Sequence, residues 1–286
     1  MPKSRLKGIK MARVGQINRL KIVKEVEFGL YLDGGELGEI LLPLRYVPPK
    51  AKVGQMLEVF IHLDSQDRLV ATTDKPFAQI GEVAYLEVTD VNRTGAFMNW
   101  GMPKDLLVPY AEQRVPMEKG KSYCVYLYMD LSDRIAASSK LSLHLKETND
   151  NFKSGQPVKL MVVSRSDMGY TALIDGTHLG LIHKSDILQP LRMGQKMQGY
   201  IKGIRPDHRI NLTLQKSGAE AKEELGLMIL AVLEANDGVS ELTDKSTPEE
   251  IFKRYRVSKA SYKKALGKLY AAKKINITPT QISLVK

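Results

Sequence analysis

Nine glycines divide most of this 286-residue chain into three similar segments. Each segment contains three of them, separated by steps of 14 and then 25 residues. The three sets are Gly15, Gly29 and Gly54; Gly81, Gly95 and Gly120; and Gly155, Gly169 and Gly194. A spacing that recurs three times predicts three copies of one small folding unit.

Two further anchors recur at matched positions in the three segments. An apolar run ends 14 residues after each middle glycine, at Pro43, Pro109 and His183. An arginine lies 14 or 15 residues after each last glycine, at Arg68, Arg134 and Arg209. Five aligned anchors in each of three segments are too many for coincidence, so the repeat extends over the whole unit.

Each unit is about 65 residues long and has the pattern of short β-strands separated by turns. "QINRLKIVKEVEFGLYLD" is rich in β-branched and apolar residues, and Gly29 interrupts it. Such a glycine is typical of a bulge or a barrel corner. We therefore predict three five-stranded OB barrels, a fold that binds oligonucleotides on strands 2 and 3. For any single copy, a barrel that serves only as a spacer is the alternative.

Two aromatic residues flank the middle glycine of the first copy. Phe28 and Tyr31 would point to opposite faces of a flat strand, whereas a bulge at Gly29 would bring both rings to one side. Rings placed so form a platform on which bases stack without regard to sequence. The alternative is that both rings belong to the core.

The other two copies keep less of this aromatic pair. The second retains Phe97, and Trp100 follows three residues later, where the sequence leaves core and surface equally open. The third has Met168 and Thr171 at the two positions, with Tyr170 displaced by one residue. We still include Phe97 and Tyr170 in the predicted stacking surface.

The repeat ends after residue 217, and helical patterns follow. Residues 219–237 predict an amphipathic helix, and Thr247 and Glu250 form a capping-box pattern for a second. A third helix follows Ser258, with its inner face formed by Tyr262, Ala265, Leu266 and Leu269. Because short strands come last, this order predicts a winged helix-turn-helix.

The charge of this last domain is unevenly distributed. Residues 251–286 contain ten basic and no acidic side chains, within a chain of net charge +11. We predict phosphate contacts there, with Lys274, Lys259 and Lys263 sharing a helix flank with Tyr270. The full predicted set is Arg256, Lys259, Lys263, Lys264, Lys268, Tyr270, Lys273 and Lys274. A basic helix face that only meets solvent is the alternative.

The repeated units resemble S1-type domains, which are RNA-binding OB barrels. That pattern has aromatics before and two residues after the middle glycine, a histidine ending strand 3, and an aspartate four residues before an arginine. The matching residues are Phe28, Tyr31, Asp64 and Arg68 in the first copy; Phe97, Asp130 and Arg134 in the second; and His183 and Arg209 in the third. The resemblance implies base contact by His183 and phosphate contact by Lys184. Departures occur at Pro43, Thr94, Pro109, Met168, Thr171 and Arg205.

The whole order of domains resembles the conserved virulence factor B family of bacterial RNA-binding proteins. The most specific stretches are "GAFMNWGMPKDLLVPYAEQ" and "SKASYKKALGKLY". The resemblance implies a cytoplasmic protein that binds single-stranded RNA and controls gene expression, including virulence factors, after transcription. The predicted domains are residues 1–76, the first barrel with a basic extension before Val14; 77–145 and 146–217, the second and third barrels; and 218–286, the winged helix.

Other classes of function find less support. Histidines and Cys124 lack metal-ligand spacing, no catalytic constellation converges, and no cofactor motif is present, so we expect neither an enzyme nor a cofactor. No signal peptide or apolar span is evident, so we expect no membrane partner. Two alternatives to RNA binding remain: a DNA-binding transcription regulator acting through the winged helix, and an adaptor that recruits the ribosome or the RNA-decay machinery.

Charge also predicts which domains bind a polyanion best. The four segments carry 13 basic and 9 acidic, 7 and 8, 11 and 6, and 12 and 9 side chains in chain order. The second barrel is therefore the poorest polyanion site. We predict that the C-terminal half supplies most of the affinity.

Overall fold

The computed structural model describes residues 12–149, 151–216 and 219–285. The predicted basic extension before Val14 falls almost entirely outside them, as does Lys286. The chain divides after His144 into two compact units. The first unit contains two β-barrels, and the second contains a third barrel and a small helical domain.

The first barrel confirms the predicted OB architecture. Its strands are β1 (Ile17–Val26), β2 (Gly29–Asp33), β3 (Glu39–Pro43), β4 (Met56–Leu63) and β5 (Leu69–Thr72). They are ordered β1-β2-β3-β5-β4, and β4 pairs with β1 to close the barrel. All neighbours are antiparallel except β3 and β5, which run parallel.

The second and third barrels repeat this order. The second is built from β6 (Val83–Asn92), β7 (Gly95–Met98), β8 (Leu106–Pro109), β9 (Ser122–Met129) and β10 (Ile135–Ser138). The third is built from β11 (Pro157–Ser166), β12 (Gly169–Ile174), β13 (His178–His183), β14 (Lys196–Ile204) and β15 (Ile210–Thr213). Both sheets close in the same way, so the three-copy prediction is confirmed.

The middle glycine opens the second strand of every barrel, and its geometry excludes a side chain. At Gly29, Gly95 and Gly169 the φ angles are +154°, +157° and +145°. A Cβ atom would lie 2.2, 2.3 and 2.0 Å from a carbonyl oxygen of the third strand, that of Leu42, Val108 and Ile182 respectively. The repeated spacing therefore reflects the close approach of two backbones at one barrel corner.

The prediction placed the bulge at the wrong position, Gly29. The irregularity in the ladder lies on the partner strand β1, between Ile22 and Lys24. Phe28 belongs to the turn before β2 rather than to the strand, so strand alternation does not govern its direction.

The two barrels of the first unit share part of their core. Phe60 of β4 lies in the second barrel's hydrophobic cluster, where its ring meets Trp100 edge-on at a centroid distance of 5.7 Å. Trp100 is buried, and its indole Nε1 donates to the carbonyl oxygen of Lys104 at 2.6 Å. The question that the sequence left open is thus settled in favour of the core. The backbone N–H of Ile17 also donates across this junction to the side-chain Oε1 of Gln79, at 2.6 Å.

The C-terminal domain is a winged helix, as predicted. Its elements are α1 (Ala219–Glu234), β16 (Val239–Ser240), α2 (Pro248–Tyr255), α3 (Lys259–Ala271), β17 (Ile275–Ile277) and β18 (Ile282–Leu284), with sheet order β16-β18-β17. Thr247 and Glu250 form the reciprocal capping box, and Ser258 caps α3. Tyr262, Ala265, Leu266 and Leu269 are buried in the domain core. In the described part of the chain, no helix is long and apolar enough to span a membrane.

Two helix ends differ from the prediction. Helix α1 ends at Glu234 rather than at residue 237, because Asp237 and Gly238 both have positive φ angles. Helix α3 ends at Ala271, so Lys274 does not lie on a helix flank.

The cause at α3 is a Schellman turn built without glycine. Lys273 occupies the left-handed position at φ +56°. Its N–H donates to the carbonyl oxygen of Tyr270 at 2.9 Å, and that of Lys274 donates to Leu269 at 3.0 Å. A lysine at this position gives no sequence signal of a helix end.

Candidate nucleic-acid interface

One row of side chains crosses each barrel at the same register, on the outer side of its second and third strands. In the first barrel the row is Lys24, Tyr31, Leu41 and Val70. The corresponding rows are Asp90, Phe97, Leu107 and Ala136 in the second, and Ser164, Thr171, Leu181 and Asn211 in the third. Because the frame is the same, the three surfaces differ only through these side chains and their neighbours.

The first barrel presents an aromatic platform with a cation beside it. Phe28 is 58% exposed, and its ring meets Tyr31 edge-on at a centroid distance of 6.4 Å. Lys24 Nζ lies 5.7 Å from the centre of the Tyr31 ring. The two rings thus share one side of the barrel, as predicted, although a turn rather than a bulge brings them together. We define Lys24, Phe28 and Tyr31 as the first-barrel platform.

The second barrel keeps one ring and reverses the neighbouring charge. Phe97 is partly exposed at the position of Tyr31, whereas Thr94 replaces Phe28. Asp90 replaces Lys24, and its carboxylate pairs with Lys119 at 3.6 Å. A polyanion meets less attraction here than on the first barrel.

Tyr170 in the third barrel is not a surface residue, so its predicted role in stacking is wrong. It is only 8% exposed, because it faces the opposite side of β12 from Thr171 and occupies the core position that Leu30 and Ala96 hold in the other barrels. Arg165 covers its ring, with the guanidinium carbon 5.8 Å from the ring centre.

A pocket of about 210 Å³ takes the place of a platform on the third barrel. The row positions carry Thr171 and Asn211, and Met168 replaces the aromatic of the preceding turn. The pocket is lined by Met168, Thr171, Leu181 and Asn211, with Glu147, Arg205 and Arg209 contributing charged groups. We call this the third-barrel pocket.

His183 contacts Asn211 of this pocket and is not itself an exposed ring. It is partly buried, and its Nε2 lies 3.3 Å from Oδ1 of Asn211. When this nitrogen carries the proton, it donates to Asn211 and leaves the Asn211 amide group as a donor. Lys184, the next residue, is exposed at the end of β13.

The three repeated arginines are exposed and each is paired with a carboxylate. Arg68 Nη2 lies 2.8 Å from Asp64, Arg134 lies 2.5 Å from Asp67, and Arg209 lies 3.5 Å from Glu147. The Arg134 pair joins the two barrels of the first unit. Exposed pairs of this kind contribute little stability, so their partners can exchange for phosphate at small cost.

The aspartate of the S1-type pattern has a structural role here. Asp64 Oδ1 accepts from the backbone N–H groups of Gln66, at 2.8 Å, and Arg68, at 3.0 Å. Bonding to the Arg68 backbone, followed by its side chain, holds the pKa of Asp64 below its usual value. In the third barrel Arg205 stands at this position, and Asp207 accepts from the Arg209 N–H instead, at 3.3 Å.

The cations of the winged helix fall into two groups. Lys259 donates to the carbonyl oxygen of Lys245 at 3.3 Å, and Lys263 pairs with Asp244 at 3.6 Å. Apart from Arg256, the remaining predicted cations are exposed on α3 or just beyond its end, beside the exposed ring of Tyr270: Lys264, Lys268, Lys273 and Lys274. This exposed set forms what we call the α3 cationic surface.

Arg256 and Lys264 also line a groove of about 490 Å³ between the third barrel and the winged helix. Arg256 occupies the left-handed C-cap of α2, with its guanidinium carbon 5.3 Å from the centre of the Phe252 ring. Tyr200 and Lys202 line the barrel side of the groove, and Lys202 pairs with Asp186 at 2.8 Å. Within the second unit, cations of both domains therefore border one depression.

The chemistry offered by these surfaces is that of recognition. Exposed rings can stack on bases, ammonium and guanidinium groups can bind phosphate, and the amide and carboxylate groups of the third-barrel pocket can bond to base edges. Across residues 12–149, 151–216 and 219–285, no group of three or more His, Cys, Asp or Glu side chains is arranged to hold a metal ion. Cys124 is buried.

Sequence reasoning missed Glu147 and Asn211. Asn211 lies two residues beyond the repeated Arg209, where the other copies have Val70 and Ala136, so comparison of the aligned copies would have exposed it. Glu147 lies before the first strand of the third barrel, and no repeated anchor points to it.

Comparison with known domains agrees with this geometry. A family model described as S1 domain matches residues 14–74 and 80–140, and one described as CvfB-like winged helix domain matches residues 227–284. Both are families of nucleic-acid-binding domains. The third barrel lies outside the matched residues but has the same strand order. The chain is therefore a tandem OB-barrel protein with a C-terminal winged helix, a class that binds nucleic acids.

Similar whole proteins identify the family. The chain is 30% identical over 269 residues to a Bacillus subtilis (strain 168) protein named "Uncharacterized protein YitL", covering 90% of this chain and 89% of that one. It is 26% identical over 243 residues to "Conserved virulence factor B" of Staphylococcus aureus (strain bovine RF122 / ET3-1), covering 82% and 81%. The chain belongs to the conserved virulence factor B family.

A solved structure is also similar in sequence. It is a multidomain protein with nucleic acid binding domains from Streptococcus pneumoniae TIGR4, 26% identical to this chain. The match covers 95% of this chain and 98% of that one, with a TM-score of 0.40.

Proposed function

We propose that the protein binds single-stranded RNA and acts in the regulation of gene expression after transcription. The observation that carries the proposal is the first-barrel platform, in which Phe28 and Tyr31 lie side by side next to Lys24. Exposed rings accept unstacked bases, and a neighbouring ammonium group accepts the phosphate between them. A duplex keeps its bases stacked inside, so it cannot use such a surface.

The second unit adds most of the positive charge available to the strand. The α3 cationic surface, Arg256 and Lys184 are all exposed. Contacts between these groups and phosphates release counterions, which makes binding strong at low salt and weak at high salt. We place most of the affinity in this unit.

The regulatory part of the proposal has support from the relatives. Proteins named conserved virulence factor B align over most of this chain. A protein that binds single strands through stacking and charge, with a weak overall sequence preference, suits the control of many transcripts. We propose regulation at the level of RNA rather than of DNA, because the three barrels have a fold that is suited to binding single strands.

The winged helix supports a second candidate function, the binding of duplex DNA. A helix-turn-helix places its second helix in the major groove, and here that helix is α3, which carries exposed Lys264 and Lys268. We expect these lysines to contact DNA phosphates. Because phosphate contacts carry no direct sequence information, they would contribute affinity without selecting bases.

One competition experiment separates the two candidates. Labelled single-stranded RNA bound to the full-length protein is challenged with equal amounts of unlabelled single-stranded RNA, single-stranded DNA, duplex RNA or duplex DNA. We expect single-stranded RNA to compete best. Stronger competition by duplex DNA would overturn the proposal and favour a transcription regulator.

A further inference from the structure

We propose that the third-barrel pocket binds one nucleobase of the RNA strand and favours guanine. This inference rests on the proposed function and adds one selective position to a surface that otherwise tolerates any sequence. Three features support it: the shape of the pocket, the fixed backbone position of Glu147 at its rim, and the mixture of donors and acceptors around it.

The pocket has the size and floor that suit one base. Its volume of about 210 Å³ lies below the roughly 300–1,000 Å³ of sites for drug-sized ligands. Leu181 and the exposed thioether of Met168 provide an apolar surface for the face of a ring. Thr171 is small enough to leave the space that Tyr31 and Phe97 occupy on the other barrels.

The backbone holds Glu147 firmly at the rim. Residues 146–149 pair with the barrel on both sides of Glu147, because Lys146 bridges to His178 and Thr148 bridges to Arg209. The Leu179 N–H donates to the carbonyl oxygen of Lys146 at 2.8 Å, and that of Asn149 donates to His208 at 3.3 Å. The carboxylate therefore projects from a fixed segment rather than from a free linker.

The charged groups at the rim complement the edge of guanine. Guanine presents N–H donors at N1 and N2 beside acceptors at O6 and N7, so it requires an acceptor and a donor from the protein. Glu147 supplies the acceptor, and Arg209 or Arg205 supplies donors of the kind that bind O6 and N7. Adenine has an acceptor at N1, which the Glu147 carboxylate would repel.

Existing ion pairs do not block this use. Arg209 is 3.5 Å from Glu147, and Arg205 is 3.0 Å from Asp207, with all four side chains substantially exposed. Exposed pairs cost little to rearrange. Asn211, oriented by His183, supplies a further polar contact at the floor.

The other two barrels do not carry this combination. At the position of Asn211 they have Val70 and Ala136, which offer no side-chain hydrogen bond. Their stacking rings, Tyr31 and Phe97, occupy the position of Thr171. Selectivity for a base is therefore expected from the third barrel.

The test uses the full-length protein and short oligouridine strands that carry one central guanine, adenine or cytosine. Fluorescence anisotropy measures each affinity at one salt concentration. We expect the guanine strand to bind on the order of tenfold more tightly than the adenine strand, the size of effect that a good bidentate contact gives. Glu147→Gln should remove most of this ratio, because an amide cannot accept both guanine N–H groups.

The matched control is Glu58→Gln. Glu58 is also an exposed carboxylate in an ion pair, with Lys75 at 3.1 Å, but it lies on the first barrel. Both substitutions remove one negative charge and should raise the affinity for plain oligouridine similarly. Only Glu147→Gln should change the ratio of guanine to adenine.

A second variant guards against a trivial loss of folding at Glu147. Thr171→Tyr fills the pocket with a ring like that of the first barrel, so it should abolish the guanine preference while binding to plain oligouridine persists. Equal wild-type affinity for all strands would overturn the pocket assignment and leave RNA binding intact. A guanine preference that survives both Glu147→Gln and Thr171→Tyr would also overturn it. Failure of every strand to bind would contradict the proposed function itself.

Discussion

The first and third barrels share a fold and a strand register but carry different side chains on the same face. In both, a glycine lets the third strand approach the second, and one row of side chains crosses the outer face. The first barrel fills that row with a ring and adds Phe28, whereas the third replaces both rings and opens a pocket beside Asn211. We therefore propose that the shared barrel fixes where a nucleic-acid strand lies, and that a few side chains decide whether its bases stack on a ring or form hydrogen bonds with a pocket.

The second barrel shows what happens when the row is only partly equipped. It keeps Phe97, but Asp90 stands where the first barrel has Lys24. We infer that it contributes least to the binding of a polyanion. Four experiments can break or sharpen this comparison, and we order them by the size of the expected effect.

The largest effect is expected from the α3 cationic surface. Changing Lys264, Lys268, Lys273 and Lys274 to glutamine should lower the affinity for single-stranded RNA on the order of a hundredfold at moderate salt, because phosphate contacts are lost. Each lost contact should also make the log–log salt slope shallower by about 0.7. Filter binding over a range of salt concentrations measures both quantities.

The control for this experiment is a set of four lysines in the second barrel. Lys104, Lys119, Lys121 and Lys140 changed to glutamine remove the same charge from the domain that we rank lowest. We expect a much smaller loss. Equal losses for the two sets would mean that affinity follows total charge and not its placement.

The next effect concerns the first-barrel platform. Phe28→Ala combined with Tyr31→Ala should cost about 1–3 kcal/mol of binding free energy for each stacked base and leave the salt slope unchanged. Phe77→Ala is the control, because Phe77 is 65% exposed but lies outside the platform. A double variant that melts at lower temperature yet binds RNA normally would show that these rings support the fold.

Exchange of charge in the second barrel should produce a smaller gain. Asp90→Lys gives Phe97 the kind of neighbour that Tyr31 has, so affinity should rise severalfold and the salt slope should steepen by about 0.7. Glu87→Lys makes the same charge change on the same strand but outside the row. If both variants gain equally, the row has no special place in binding.

The smallest effect is on stability and concerns the capping box of α2. The backbone N–H of Thr247 bonds to the Glu250 carboxylate and lowers the pKa of Glu250. Because the folded-state pKa is depressed, this stabilisation is present above the ordinary glutamate pKa and is lost as pH falls through the lowered value.

The corresponding measurement is a thermal melt of wild type and Glu250→Gln between neutral and acidic pH. Glutamine can still cap the helix but does not titrate, so its melting temperature should fall slightly less in acid than that of wild type. RNA binding at neutral pH should be the same for both proteins. A larger acid sensitivity in the glutamine variant would contradict the capping argument.

Much of the fold was predictable because the features that build it are local and repeated. The glycine spacing reports a backbone contact that no side chain tolerates, so it marks the same corner in all three barrels. The capping residues Thr247 and Ser258 bond within their own helices, which makes their pattern legible in the sequence. The end of α3 was not predictable, because Lys273 adopts a conformation that usually requires glycine.

The candidate site was predictable only in part, because it depends on direction and on distant partners. Phe28 and Tyr31 were paired correctly, but a turn before β2 brings the rings together rather than the predicted bulge at Gly29. Tyr170 was misjudged because a shift of one residue along a strand turns a side chain into the core. Glu147 reaches the third-barrel pocket through bridges to residues about 30 and 60 positions away, and local patterns do not reveal such pairing.

We propose that the two units bind one strand by different means, the first through stacking and the second mainly through charge. Each unit has its own hydrophobic clusters, so fragments 1–144 and 145–286 can be compared directly. The decisive measurement is the affinity of each fragment for the same single-stranded RNA as a function of salt. We predict that fragment 145–286 binds more tightly and has the steeper salt dependence. Near-full affinity in fragment 1–144, with little in fragment 145–286, would contradict the account.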